Sequence, residues 1–204
     1  MASSARRGVL WGLLVAALIV IFAAAAWQLR HRPEPPPVLG TVPELTLTNR
    51  DGRTIHRADL EGSPWIADFI FTRCPASCPM MTSRMARLVE DLPAGTGVRF
   101  VSISVDPEHD TPEVLERYAA SYKAPARWLF LTGDGRQIYR LSQDGFKLGV
   151  DATPQASGGE TAEPILHSTR FVLVDGEGRI RGYYDAFDAE SMKGLTRDLH
   201  AISD

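Results

Sequence analysis

The sequence predicts one mixed α/β domain that follows an apolar N-terminal segment. Three observations support this fold class. Apolar stretches of strand length alternate with stretches whose apolar residues have helical spacing, turn residues typical of hairpins separate two strand pairs, and no internal repeat divides the chain. A chain of 204 residues is long enough for one well-buried domain and one additional segment.

The first predicted elements are a hairpin, a buried strand and a helix. The strands Leu45–Thr48 and Arg53–His56 flank the turn-forming residues from Asn49 to Gly52. The strand Trp65–Phe71 is apolar nearly throughout, as expected in the centre of a sheet. The stretch Met80–Leu92 carries apolar residues at helical spacing and is predicted as a helix.

The remaining elements continue the alternation and end in a second hairpin. A polar stretch with Gly and Pro, Asp144 to Leu166, is predicted as a long insert before that hairpin. The order strand, helix, strand, helix, hairpin and helix is that of the thioredoxin-like fold, which we therefore predict. The elements are the strand Val98–Val105, a helix ending near Tyr122, the strand Trp128–Leu131, a helix near Arg136–Leu141, the hairpin strands Ser168–Val174 and Arg179–Tyr184, and the helix Phe187–Ile202.

The N-terminal segment Gly8–Trp27 carries no charge and, as a helix, spans about the 30 Å of a bilayer's hydrocarbon core. A cleaved signal peptide is the alternative, since Ala24 and Ala26 suit cleavage, but the apolar stretch exceeds the usual length of about 7 to 15 residues. We predict a retained transmembrane anchor at residues 8–27. Residues 28–37 form a Pro-rich spacer, and a domain occupies residues 38–204.

The charge of the domain excludes one class of partner. After the first 37 residues, acidic residues outnumber basic residues by 24 to 18. Nucleic-acid-binding domains are usually basic, so we predict no nucleic-acid partner.

The chain has two cysteines, Cys74 and Cys78, which lie between a predicted strand and a predicted helix. Residues at this spacing in a helix have Cβ atoms about 5 to 6 Å apart, close enough for a disulfide or for a shared metal ion. Free N–H groups at a helix start favour the thiolate that either chemistry needs. A purely structural disulfide is a poor alternative, because closing so short a loop contributes little chain entropy.

A metal at this pair would need further ligands, and the available residues favour copper. Structural zinc normally takes four protein ligands, whereas Cu(I) accepts soft sulfur ligands. The predicted topology places His167, at the start of a late strand, on the sheet edge that carries the cysteines. An ordinary surface histidine remains the alternative at this position. The other histidines lie in less suitable segments: His31, His56, His109 and His200.

Three segments resemble the Sco/SenC cytochrome oxidase assembly proteins: Phe71–Pro79 (FTRCPASCP), Val105–Pro112 (VDPEHDTP), and His167 with Ser168 before an apolar strand. The resemblance extends from about Leu45 to the C-terminus. It implies that Cys74, Cys78 and His167 bind one copper ion, as Cu(I) or Cu(II). It also implies a metallochaperone that helps to mature the dinuclear copper centre of a respiratory cytochrome oxidase.

The same resemblance implies a location and partners. The anchor would be a single pass through a bacterial cytoplasmic membrane, with residues 1–7 in the cytoplasm and the domain on the periplasmic or extracytoplasmic side. The implied partner is the copper-site subunit of a cytochrome oxidase. A second periplasmic copper chaperone or a thiol reductant is a further candidate partner.

An alternative function uses the same cysteines without a stable metal. Cys74 and Cys78 would then cycle between dithiol and disulfide, as a thiol-disulfide oxidoreductase that keeps the oxidase copper-site cysteines reduced. Whether the protein is an enzyme therefore stays open. A thiol peroxidase is disfavoured, because it would have a Thr three residues before the reactive Cys, where this chain has Phe71.

Polar residues around the cysteines invite weaker predictions. Asp106 and Asp110 are predicted to form a helix cap with local turn bonds, since Asp110 and Glu113 have the spacing of a capping box. Asp68 is predicted as a buried acid that could tune the protons of the thiols. The two methionines that follow the cysteine pair, Met80 and Met81, are predicted as core residues despite their soft sulfur atoms.

Overall fold

A computed structural model describes residues 11–12, 14–23, 34–75, 77–148 and 168–203. The chain divides into two units, Met1–Glu34 and Pro35–Asp204. In the first unit, residues 11–12 and 14–23 are helical.

No helix among the described residues is long and apolar enough to cross a membrane. Several earlier predictions fall partly or wholly outside the described residues. They concern the cytoplasmic N-terminus (residues 1–7), the ends of the anchor, the cleavage alternative at Ala24 and Ala26, most of the spacer, the insert from residue 149 onward, and His167.

Among its described residues, the second unit has one sheet of eight strands: β1 (Gly40–Thr41), β2 (Thr46–Asn49), β3 (Thr54–His56), β4 (Trp65–Ile70), β5 (Arg99–Ser104), β6 (Trp128–Thr132), β7 (Arg170–Val174) and β8 (Arg179–Asp185). Their order in the sheet is β1-β8-β7-β4-β5-β6-β2-β3. The central strands β4, β5 and β6 are parallel, whereas β7 is antiparallel to β4.

In the part of this unit that the structure describes, four α-helices pack on the sheet: α1 (Ser77–Asp91), α2 (Pro112–Ser121), α3 (Gly135–Arg140) and α4 (Ala189–Ser203). A π-helical turn, Leu141–Gly145, extends α3, and short 3-10 turns cover Arg57–Leu60 and Ala94–Thr96. The predicted thioredoxin-like order and the N-terminal hairpin of β2 with β3 are confirmed.

Alternating residues of β4 divide the core into two layers. Ile66 and Ile70 face a cluster with buried residues of α1, α2 and α4, and this cluster includes both cysteines. Trp65, Ala67 and Phe69 face a second cluster with the N-terminal hairpin and α3. A strand buried on both faces is nearly all apolar, which explains the sequence of β4 apart from Asp68.

The topology brings several chain segments to one edge of the sheet. Ile70 and Ser104 pair at the ends of β4 and β5, and Arg170 pairs with Asp185 where β7 begins and β8 ends. Because β7 runs antiparallel to β4, both pairs lie at the same edge, which we call the cysteine edge. Ligand sites of open α/β sheets usually lie beyond the carboxyl ends of the parallel strands.

Candidate metal centre

Both cysteines lie at the cysteine edge. Cys74 is in the cysteine loop, residues 71–75, and Cys78 is the second residue of α1. The two cysteines are not joined by a disulfide, and they are only 6% and 4% exposed. The helix begins at Ser77, three residues earlier than predicted, so it includes the second cysteine.

The helix start faces the sulfur of Cys74. The backbone N–H of Cys78 donates a hydrogen bond to Cys74 Sγ at 3.4 Å, and Ser77 Oγ lies 3.5 Å from the same sulfur. The Cys74 N–H in turn donates to the carbonyl of Phe71 at 3.2 Å. N–H groups at a helix start stabilise negative charge, so this arrangement favours a thiolate or a metal-bound sulfur at Cys74.

Cys78 is in a more apolar environment than a typical reactive thiol. Burial raises the pKa of Cys78 to about 12, and a hydrogen bond with the Phe71 backbone lowers it only in part. The neighbouring Cys74 and Asp68 raise this pKa further. Cys78 therefore keeps its proton at neutral pH until a metal ion or a disulfide bond replaces it.

Asp68 is fully buried in β4, and its predicted burial is confirmed. Ser102 Oγ donates to one carboxylate oxygen at 2.6 Å, and Trp128 Nε1 donates to that hydroxyl at 3.0 Å. The other oxygen, Oδ2, has no hydrogen-bond partner among the described residues. Burial raises the pKa of Asp68 to about 7, against the lowering effect of Ser102.

His167 lies outside the described residues, so its role as a ligand stays a prediction. The described chain resumes at Ser168, two residues before β7. The start of β7 at Arg170 is at the cysteine edge, as the predicted topology requires.

The prediction of Asp110 as a helix cap is wrong. Thr111 caps α2, with its side chain accepting a hydrogen bond from the Val114 N–H, and Pro112 occupies the first helical position. Asp110 is instead fully buried and bonded to Thr72 and Ser104. Its spacing to Glu113 mimics a capping box, and no local sequence signal indicates these distant partners.

Asp106 fits its prediction in part. Its carbonyl accepts the N–H groups of His109 and Asp110, which are local turn bonds. Its carboxylate pairs with the guanidinium of Arg73 in the cysteine loop at 2.6 Å. The ligand atoms of Asp106, His109 and Asp110 lie within 4.8 Å of one another, but hydrogen bonds from the cysteine loop already engage both carboxylates.

The two methionines of α1 differ in environment. Met81 is 1% exposed and belongs to the core, as predicted, whereas Met80 is 54% exposed, so its prediction as a core residue is wrong. Helical geometry explains the difference, because Met81 shares the buried face with Cys78 and Met85. Met80 is one position away from that face.

Comparison with known proteins gives a consistent result. A sequence model of the SCO1/SenC family matches residues 36–202. A SCO1/SenC family lipoprotein from Bacillus anthracis superposes with a TM-score of 0.72 and 31% identity, over 83% of this chain and 99% of that chain.

Two further structures are similar. BsSco, a member of the Sco family of cytochrome c oxidase assembly proteins with an identified disulfide switch, has a TM-score of 0.69 and 32% identity over 85% of this chain and 98% of its own. Copper-bound ScoI from Bradyrhizobium japonicum has a TM-score of 0.59 and 25% identity over 78% of this chain and 99% of its own. With a family match that extends through nearly the whole second unit, the chain belongs to the SCO1/SenC family.

Proposed function

We propose that this protein binds one copper ion through Cys74, Cys78 and His167 and delivers it to the dinuclear copper centre of a respiratory cytochrome oxidase. The observation that carries the proposal is the pair of buried cysteines at one helix start, which are not joined by a disulfide. Copper is the cargo of this process rather than a permanent cofactor.

The chemistry of the donors suits copper. Thiolate sulfur is a soft ligand that selects Cu(I), and imidazole nitrogen binds either copper valence. The hydrogen bond from the Cys78 N–H to Cys74 Sγ brings the second cysteine's backbone next to the first sulfur. Metal binding must displace the proton of Cys78, and the resulting charge is compensated by the metal ion itself.

Copper in a relative supports the choice of metal. ScoI from Bradyrhizobium japonicum has been solved with copper bound, and BsSco belongs to a family of cytochrome c oxidase assembly proteins. We therefore propose the copper-site subunit of a cytochrome oxidase as the acceptor. A periplasmic copper chaperone would supply the copper to this protein, or a thiol reductant would reduce its cysteines, before transfer to the oxidase subunit.

We place the domain, residues 38–204, outside a bacterial cytoplasmic membrane. The uncharged segment Gly8–Trp27 would hold it there as a single-pass anchor, with residues 1–7 in the cytoplasm and residues 28–37 as a spacer. The similarity to a lipoprotein from Bacillus anthracis supports attachment to a membrane.

A thiol-disulfide oxidoreductase is the second candidate function, and the disulfide switch of BsSco favours it. One cysteine would attack a partner disulfide as a thiolate and form a mixed disulfide, releasing one partner thiol. The other cysteine would then attack the mixed disulfide and release the second partner thiol. Two electrons pass to the partner, and Cys74 and Cys78 end as a disulfide that can no longer bind copper.

A copper competition titration tests the proposed function. We expect the reduced full-length protein to bind one copper ion, and Cys74→Ser, Cys78→Ser and His167→Ala each to weaken binding at least a hundredfold. His56→Ala is the matched control, because His56 is an exposed histidine of the N-terminal hairpin, and should bind copper as the wild type does. Copper binding that survives both cysteine substitutions would refute the proposal.

The same variants separate the two functions. We expect His167→Ala to reduce copper affinity while its dithiol-disulfide equilibrium with glutathione stays within threefold of the wild type. If His167→Ala binds copper normally, the ligand assignment of His167 is wrong. If the wild type binds no copper but reduces an oxidised peptide from an oxidase copper site, the oxidoreductase function is correct.

A further inference from the structure

We infer that Asp110 is a positioning residue that holds Cys74 in place by binding the chain just before it. This inference rests on the proposed function, because it assigns the role of Asp110 in the same cysteine site. It concerns two segments: the cysteine loop (residues 71–75) and the aspartate loop (residues 105–111), which follow β4 and β5.

Asp110 binds the cysteine loop with both carboxylate oxygens. The backbone N–H of Thr72 donates to Oδ2 at 3.0 Å, and the hydroxyl of Thr72 donates to Oδ1 at 2.5 Å. Thr72 precedes Cys74 by two residues. Because Asp110 binds both the backbone and the side chain of Thr72, it fixes the direction of the chain just before Cys74.

Asp110 is itself held in place from two sides. The hydroxyl of Ser104, at the end of β5, donates to Oδ2 at 2.6 Å, and His109 Nδ1 lies 2.9 Å from Oδ1. Asp110 is fully buried. Hydrogen bonds made away from water are stronger than those that compete with it, so the contact between the loops is a strong one.

A second contact between the two loops is weaker. The guanidinium of Arg73 donates to Asp106 at 2.6 and 3.0 Å, but the Arg73 side chain is 60% exposed. Water and salt weaken an ion pair that is this exposed, so it contributes little. The buried carboxylate of Asp110 is therefore the dominant contact, and Asp106 has a supporting role.

This contact matters for the site because the cysteine loop is short. Thr72 is fixed on one side of Cys74, and on the other side the Cys78 N–H donates to Cys74 Sγ. Replacing a group that holds a metal-binding residue in position typically changes the metal affinity 10- to 100-fold. In the reduced protein the contact keeps Cys74 Sγ at the helix start, so its loss should also favour the disulfide.

The experiment uses substitutions at Thr72 in the full-length protein. Thr72→Val removes the hydroxyl donor and keeps the shape, whereas Thr72→Ser keeps the donor. Thr132→Val is the matched control, because Thr132 is a buried threonine near the end of β6 whose hydroxyl has no partner among the described residues. Two quantities are measured: the copper dissociation constant and the dithiol-disulfide equilibrium with glutathione.

We expect Thr72→Val to raise the copper dissociation constant at least tenfold and to shift the equilibrium at least threefold toward the disulfide. Thr72→Ser and Thr132→Val should stay within twofold of the wild type in both measurements. Ser104→Ala, which removes the support of Asp110 from β5, should shift both quantities in the same direction as Thr72→Val. Thermal unfolding of every variant checks that it is folded under the conditions in which its copper dissociation constant and dithiol-disulfide equilibrium are measured.

The inference is overturned if Thr72→Val and Ser104→Ala both stay within twofold of the wild type, or if the equilibrium shifts toward the dithiol. Its failure differs from failure of the proposed function. If the wild type binds no copper, the metallochaperone function is wrong, while the dithiol-disulfide equilibrium still decides whether Asp110 positions Cys74.

Discussion

The two ends of the sheet each use a buried aspartate to fix a turn, and they do so over very different chain distances. At the cysteine edge, Asp110 binds Thr72, which is 38 positions away. At the opposite end, Asp175 binds the N–H groups of Glu177 and Arg179 and the guanidinium groups of Arg179 and Arg181, all within 6 positions. Asp175 thus stabilises its own hairpin turn, whereas Asp110 joins two separate loops.

The environments of these aspartates reflect the same difference. Burial alone would raise the pKa of Asp175, but hydrogen bonds from Arg179 and Arg181 outweigh it and lower the pKa. These arginine partners are 35% and 11% exposed. Asp110 instead accepts hydrogen bonds from the half-buried Thr72 and the buried Ser104, and it lies 2.9 Å from Nδ1 of His109. Substitution of Asp175 should therefore disturb only its hairpin, whereas substitution of Asp110 should also disturb the cysteine site.

The largest expected effect comes from Asp110→Ala. We expect it to lower the free energy of unfolding by about 3 to 5 kcal/mol, because the half-buried donors of Thr72 and the buried hydroxyl of Ser104 lose their acceptor. We expect Asp175→Ala to lower it by about 2 kcal/mol. Urea unfolding of the reduced protein measures both values.

The reaction of the cysteines with a thiol reagent then tests whether only one of these two substitutions disturbs the cysteine site. Under native conditions, Asp110→Ala should increase the reaction rate of the cysteines at least fivefold, and Asp175→Ala should leave it within twofold of the wild type. Equal rates in the two variants would contradict the difference between the two ends of the sheet.

Asp68 is a third buried aspartate. It differs from Asp110 and Asp175 because only one of its carboxylate oxygens has a hydrogen-bond partner among the described residues. Its pKa is raised to about 7, so the folded state holds more protons than the unfolded state between about pH 4 and pH 7. The stability of the wild type should therefore fall as pH rises through this range.

We expect Asp68→Asn to remove this decrease, since asparagine carries no charge and can still accept the bond from Ser102. The variant should gain roughly 2 to 4 kcal/mol relative to the wild type between pH 4 and pH 8. Asp91→Asn, at an exposed position at the end of α1, is the control. If urea unfolding shows no pH-dependent difference between Asp68→Asn and the wild type, folding does not raise the pKa of Asp68.

The smallest expected effect is at Thr111, the residue that caps α2. Thr111→Ala should lower the free energy of unfolding by about 1 kcal/mol and leave thiol reactivity unchanged. Thr111→Ser keeps the cap and should match the wild type within about 0.5 kcal/mol, because serine and threonine are both favourable N-cap residues. A loss larger than that of Asp175→Ala would show that Thr111 also supports the aspartate loop.

Local patterns in the sequence predict most strands and helices well, although they miss the two-residue strand β1. The apolar stretch at β4 and the turn residues around Asn49 and Gly176 carry their own structural signals, and these elements lie within two residues of their predicted bounds. Asp175 belongs to such a local turn. The position of Cys78 near the helix start follows from the same kind of pattern.

Contacts between distant segments are not visible in local patterns. Asp110 has the spacing of a helix cap to Glu113, and its real partner Thr72 could be found only from the pairing of β4 with β5. By contrast, the difference between Met80 and Met81 follows from helical spacing, because Met81 shares the buried face of α1 with Met85 and Met80 does not. The role of His167 rests on the topology and on family resemblance, since it lies outside the described residues.

The most direct test of the central claim is X-ray absorption spectroscopy at the copper edge of the copper-loaded, reduced full-length protein. We predict two sulfur scatterers at about 2.3 Å, a typical metal-thiolate distance, and one nitrogen scatterer. The nitrogen should be lost or replaced in His167→Ala, and sulfur should be reduced to one scatterer in Cys74→Ser. A copper site without sulfur scatterers would contradict the assignment of Cys74 and Cys78 as the pair that holds copper.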